Sequence, residues 1–529
     1  MFTRHKKLII SIALVVVLFV GGLLGFVIIP NAMNQFKAAA SGPSADARQT
    51  VSGNGGNAVM VGDYLYFING FVSSASVSYK QNEHNKVKNE GAIYRIKMPK
   101  GFPEYDNSYL NDYEDWENYS QYDRNHPLQN PEYKDAMDKV LHKDMGLRLI
   151  VPKIAGWEKS ALYVFDNTLI YTSPNNQKDK HGQLQRDRTD FFRVNLKGGN
   201  HQKIYTTRTT GVTNDDFTTV HVDGKTYLLV RDGDRLVRVG MNGKSSTISS
   251  KAESSVFPIV TSYYKNHTDN LVNSFSGMME YVFYTEKCET ENCAQGENLF
   301  MRYHIATGKK DQLRHDNNTH TMLALGNGAL MFETTLQDQD HKNMYAIDDV
   351  AASFDLSHLN SHYKTNMPLQ PEERLFLSGE RASSFSYITQ AGATLRVYDR
   401  SQGPTYINPR EIADDVAEII QVARANILYK TLGGTLKCID YSGKMTQTQA
   451  PAPSTSSGRV TAFRVLNEAG EAREGYMFFY IKTMHCLDDD HDHSHNHDHL
   501  TVGFVVDLMG NEHILARLDE KFINLPEKD

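Results

Sequence analysis

From Thr218 to Ile248 the chain reads TTVHVDGKTYLLVRDGDRLVRVGMNGKSSTI, four short β-branched and aromatic runs separated by Asp-Gly, Gly-Asp and Asn-Gly pairs. Those pairs supply the positive φ angles that tight hairpin turns require, so the stretch reads as a four-stranded antiparallel meander. Its strands are expected near Thr219–Val222, Thr226–Val230, Arg235–Gly240 and Ser245–Ile248. A lone meander of this size buries too little apolar surface to be stable, so it must stack on others like it.

The chain supplies them. Beside LVRVGMNGK (236–244) stand IYRIKMPKG (93–101), FFRVNLKGG (191–199), FMRYHIATGK (300–309), LRVYDRSQG (395–403), LKCIDYSGK (436–444) and VGFVVDLMGN (502–511). A degenerate copy, NMYAIDDVA, lies at 343–351. The repeats delimit units at about 57–155, 160–207, 218–250, 256–315, 320–356, 374–408, 417–450 and 459–518. Four-stranded units recurring at this length predict an all-β fold, a single β-propeller of seven or eight antiparallel blades spanning 57–518. Seven results if the weak fifth and sixth units merge into one distorted blade. The alternative, two β-sandwich domains, does not account for one turn signature repeated down the chain.

Ahead of the repeats, residues 1–7 (MFTRHKK) are basic and Leu8–Ile29 is an uncharged apolar run. As a helix the run is about 33 Å long, enough to cross a bilayer core. The reading is a single-pass signal anchor with residues 1–7 cytoplasmic and the remainder outside, in the cell membrane. Residues 30–56, rich in Ala, Ser, Gly and Asn, are expected as a flexible linker with a reach of about 30 Å. Residues 519–529 form a C-terminal tail. The chain's net charge of −7 argues against nucleic acid as a partner.

Two insertions could carry chemistry. Residues 99–146 interrupt the first blade between its third and fourth strands, and a small helical insertion is expected there. Tyr105, Tyr109, Tyr113, Trp116, Tyr119 and Tyr122 recur at helical spacing among Asp and Glu side chains. Such rings stack on sugars, grip a basic peptide, or simply pack on the propeller's flank. Residues 485–499 read HCLDDDHDHSHNHDH. In extended backbone His491, His493, His495, His497 and His499 fall on one face, with Asp490 just ahead of them and Asp492 between the first two. Imidazole and carboxylate suit Zn²⁺ or another divalent transition metal, and a solvated loop of biased composition is the plainer reading. Cys288 and Cys293, close in sequence and outside the membrane, are expected to form a disulfide. No nucleophile motif or phosphate loop is present, and no cofactor is required.

The anchor, the linker, and strands such as GDYLYF (62–67), IYRIKM (93–98) and VRVGMNG (237–243) resemble a bacterial family. Its members are membrane-attached proteins, common in Gram-positive bacteria, with a domain of unknown function related to the propeller of low-density-lipoprotein-receptor-like proteins. The resemblance implies a propeller with an extracytoplasmic binding role and brings no catalytic residues. The receptor propeller's tyrosine-tryptophan-threonine-aspartate signature is absent here. The leading expectation is therefore a binding or scaffold module for an extracellular protein or wall polymer. Its alternatives are metal capture or sensing through the His tract, and a glycan-active enzyme working in the propeller funnel.

Overall fold

In the computed structural model the chain is described at residues 42–43, 50–70, 91–98, 147–183, 185, 187–258, 262–264, 280–289, 297–326, 329–335, 342–348, 364–365, 373–376, 386–399, 409–422, 426–451, 460–463, 477–485, 499–506 and 512–517. These residues form an all-β propeller. The strands assemble into eight antiparallel sheets that follow one another in chain order. Six are uninterrupted four-strand meanders, at 162–206, 217–249, 319–365, 374–413, 416–451 and 461–517. The fourth sheet, 252–316, gives up one short strand, Ser262–Tyr264, to the first. The first sheet thereby has six strands, four of them lying between 58 and 151.

The founding meander forms where its turns place it, with strands Phe217–Val222, Lys225–Asp232, Arg235–Gly240 and Ser245–Ser249. Asp223 and Gly224 take the positive φ angles, 49° and 69°, that the first hairpin needs. The recurring motif is the third strand of its sheet, and it carries more than a turn. A register shift occurs between the third and fourth strands at 93/94, 191/192, 236/237, 300/301, 395/396, 436/438 and 503/504. A bulge at this place raises the local twist, which suits the outer edge of a wedge-shaped blade.

Packing is face to face between neighbours. Tyr66, Ile93 and Val151 of the first sheet pack with Leu162, Leu169 and Tyr171 of the second. The second, third and fourth share a cluster built on Phe191, Phe217, Leu228, Val237 and Tyr284. Phe283 and Phe300 meet Phe332 and Tyr345 of the fifth, and Val397 of the sixth meets Ile427 of the seventh. The last sheet returns to the first, with Phe479 on Phe67 at 4.9 Å between ring centroids. First strands touch first strands around this circuit, 58–61 against 162–165 and against 461–463. They therefore line the axis.

The segment 50–56 departs from the expected flexible linker. Thr50–Ser52 is a strand, with Val51 fully buried opposite Val61. The turn after it is stitched to two other sheets. Asn54 accepts from the Val164 amide at 2.8 Å and donates to its carbonyl at 3.3 Å. Gly55 N–H donates to Leu162 O, Leu162 N–H to Gly56 O, and Asn57 N–H to Thr461 Oγ1. The glycines serve close backbone approach here: a Cβ on Gly56 would lie 2.6 Å from Thr461 Cγ2. No helix among the described residues is long and apolar enough to cross a membrane, and residues 8–29 lie outside those residues.

Candidate functional site

In such meanders one face of the ring gathers the sheet-to-sheet connections and the loops between second and third strands, here called the upper face. The remaining hairpins gather on the lower face. A cavity of about 720 Å³ sits at the axis on the upper side. Its walls come from opposite parts of the ring. Glu158, Lys159 and Thr213–Asp215 lie in the connections entering the second and third sheets. Arg374, Phe376, Gln390 and Gly392 belong to the sixth sheet, and Ala417, Glu418 and Ile419 to the seventh.

The loops on the first of these walls are held firmly. Trp157, fully buried, donates its indole N–H to Thr172 Oγ1 at 3.1 Å, and Thr172 Oγ1 in turn donates to Lys159 O at 2.6 Å. The Lys159 ammonium donates to Asp187 O at 2.8 Å and Thr210 O at 3.0 Å, and lies 5.5 Å from the Trp157 ring centroid. One side chain thus ties three upper-face loops together. Burial lowers its pKa, against the opposing pull of Asp187, Glu158 and Asp216. Asp216 accepts from the Thr213 amide and hydroxyl, both at 2.8 Å, which fixes the turn carrying Asp215. Asp215, Arg374 and Glu418 are exposed to the cavity and make no hydrogen bond or ion pair among the described residues. Charges of both signs therefore stand on the rim of one cavity.

The residues singled out in the sequence fall elsewhere. Tyr105, Tyr109, Tyr113, Trp116, Tyr119 and Tyr122 lie outside the described residues. The chain leaves and returns there between strands Ile93–Lys97 and Arg148–Val151, a lower-face position. His491, His493, His495, His497, Asp490 and Asp492 also lie outside them. Their loop joins Met477–His485 to His499–Val506, the second and third strands of the eighth sheet, so it springs from the upper face. At its base His485 and His499 are directly opposite in the antiparallel ladder. Among the described residues no group of three or more metal-ligating side chains is present. Cys288 is disulfide-bonded, its expected partner Cys293 lying outside the described residues, while Cys438 is a buried free thiol.

Lys159, Asp215, Arg374 and Glu418 form no motif along the chain. The one available signal was positional, since each stands at or just before the first strand of its unit.

No family model matches the chain, and no curated protein matches it. Solved structures do. TolB from Acinetobacter baumannii is 11% identical, over 53% of this chain and 63% of that one, with a TM-score of 0.27. A prolyl endopeptidase is 10% identical over 66% of this chain and 54% of that one, with a TM-score of 0.33. An uncharacterised protein of Listeria monocytogenes is 12% identical over 71% and 95%, with a TM-score of 0.30. The chain thus spans less than two thirds of the first two. The resemblance to receptor-related, membrane-attached bacterial proteins is carried no further than the propeller architecture.

Proposed function

We propose that the protein is a membrane-anchored, extracytoplasmic binding module, its eight sheets forming one closed ring of eight blades. It takes its ligand, an extracellular protein or wall polymer, at the axial cavity of the upper face. The observation that carries this reading is the cavity itself, where Asp215, Arg374 and Glu418, from three different parts of the ring, converge on one space and make no hydrogen bond or ion pair among the described residues. Loops at the end of a rigid scaffold are where recognition concentrates. The long segments 71–90, 174–190, 286–297 and 485–499 all join second to third strands, so the strand ends that bound them lie on the same face.

The test uses full-length protein in lipid vesicles, incubated with cell-surface extract and floated. A variant combining Asp215→Lys, Arg374→Glu and Glu418→Lys should lose the components that wild type retains. A lower-face control, Lys244→Glu, should keep them. Undiminished retention by the triple variant would remove the cavity from the proposal.

A second reading, divalent-metal capture, draws support from the ladder. With His485 opposite His499, the tract's last histidine, the ladder adds one more imidazole-bearing residue at cross-strand spacing at its base. Repeating the flotation with chelator separates the two readings. Metal-dependent retention assigns the interaction to the loop, and metal-independent retention to the cavity.

A further inference from the structure

We infer that the cavity mouth is turned away from the membrane and that the propeller presents its lower face to the bilayer. This rests on the anchored reading above, and it follows from the path of the N-terminal segment through the ring. Ala58–Val61 is the axis-lining strand of the first sheet and, like every first strand, runs from the upper face to the lower. Thr50–Ser52 pairs with it antiparallel, with Val51 opposite Val61 and Ser52 opposite Met60. The segment 50–52 therefore runs upward, and the chain before it enters the ring from below.

Gly42 gives an independent fix on the same path. A Cβ there would lie 3.2 Å from Lys197 Cγ and 3.2 Å from Arg95 Nη1. Lys197 belongs to the turn between the third and fourth strands of the second sheet, a lower-face hairpin. The polypeptide coming from the direction of residues 8–29 thus lies against the lower face at residue 42 and inside the ring at residue 50.

A third observation concerns the axis. Thr50–Ser52 adds to the free edge of the axis-lining strand, and Ser262–Tyr264 from the fourth sheet adds to Thr50–Ser52 in turn. Two strands therefore extend from the first sheet toward the centre on the entry side. The cavity opens at the other end, above them. A ligand reaches it end-on from the extracellular side, as the free end or a protruding side group of a partner, and is not a lipid headgroup or a strand threaded through the ring.

The experiment places one thiol at each end of a single strand. Asp234 lies in an upper-face turn and Lys244 in a lower-face turn, joined by Arg235–Gly240, and both are exposed. They are separated by roughly 20 Å along the strand. Asp234→Cys and Lys244→Cys are each made in the full chain with Cys486→Ser, labelled with a fluorescent donor, and reconstituted in vesicles containing acceptor lipid. Energy transfer is expected to be stronger from position 244 than from 234. Equal transfer, or stronger transfer from 234, in protein that floats with the vesicles overturns the orientation and leaves the anchor standing. Protein that fails to float overturns both.

Discussion

Replacing Asn54 by alanine should open the seam that joins the first sheet to the second. The side chain is 5% exposed, and its amide makes both of its hydrogen bonds with the backbone of Val164. Val164 lies 110 positions further along the chain, in the axis-lining strand of the next sheet, and its inner edge faces 54–56. Alanine removes two bonds and leaves a buried N–H and C=O without partners, a loss of about 2–4 kcal/mol. In a domain of this size that corresponds to a fall of about 2–6 °C in melting midpoint. Asn54→Asp should do no better, because it keeps an acceptor for the amide but turns a carboxylate oxygen on the Val164 carbonyl. The assay is thermal melting of the full chain followed by tryptophan emission. The chain has two tryptophans, so a Trp116→Phe background leaves the fully buried Trp157 as sole reporter. Asn242→Ala, which removes a turn bond that an exposed asparagine oxygen accepts from Lys244 N–H, is the reference. If Asn54→Ala melts with Asn242→Ala, the segment 50–56 does not staple the ring, and the orientation drawn from its path loses its footing.

Three further outcomes are expected. Burial, with the charge of Lys153 beside it, lowers the His201 pKa from 6.5 to about 4. The unfolded chain therefore binds the extra proton first, and stability should decline as pH falls from 6.5 to about 4; His201→Phe should flatten that part of a denaturation-midpoint profile. Gly156→Ala would set a Cβ 2.1 Å from Gly70 O, backbone against backbone, so it should destabilise by about 2 kcal/mol or more and lower expression of folded protein. Replacing His491, His493, His495 and His497 by serine should leave the melting midpoint unchanged and abolish most Zn²⁺ uptake in equilibrium dialysis; retained uptake would place the metal elsewhere.

The architecture was legible because it is written locally. Each unit carries its own turn chemistry, and Asp-Gly at 223–224 constrains a hairpin whatever surrounds it. The third-strand motif could be aligned down the chain because it is a fixed structural part, a strand with a bulge, repeated in seven of the eight sheets. Closure of the ring was not legible in that way. Gly53 to Asn57 has the composition of a linker, and composition alone separates neither of the two uses of glycine: freedom in solvent, and close approach to another backbone. The partners that decide between them, Val164 and Thr461, lie 110 and 404 positions away.

The cavity lining was hidden for a related reason. A reaction centre often leaves a motif, because neighbouring groups on one element must act together. A ring assembles its axial site from single residues of distant units, and Asp215, Arg374 and Glu418 share nothing but their place at or just before the start of a first strand. That place is itself constrained by the fold. First strands are the innermost, so their apolar residues must serve the contacts between sheets, as Phe217 and Val416 do. Charge can be afforded only at their upper ends, where the strand meets its connection and faces open space. Charged residues at or near those upper ends are therefore the ones that folding explains least, and the binding role proposed above rests on them. On that proposal, opposite charges set in separate parts of the ring call for a partner that carries both signs.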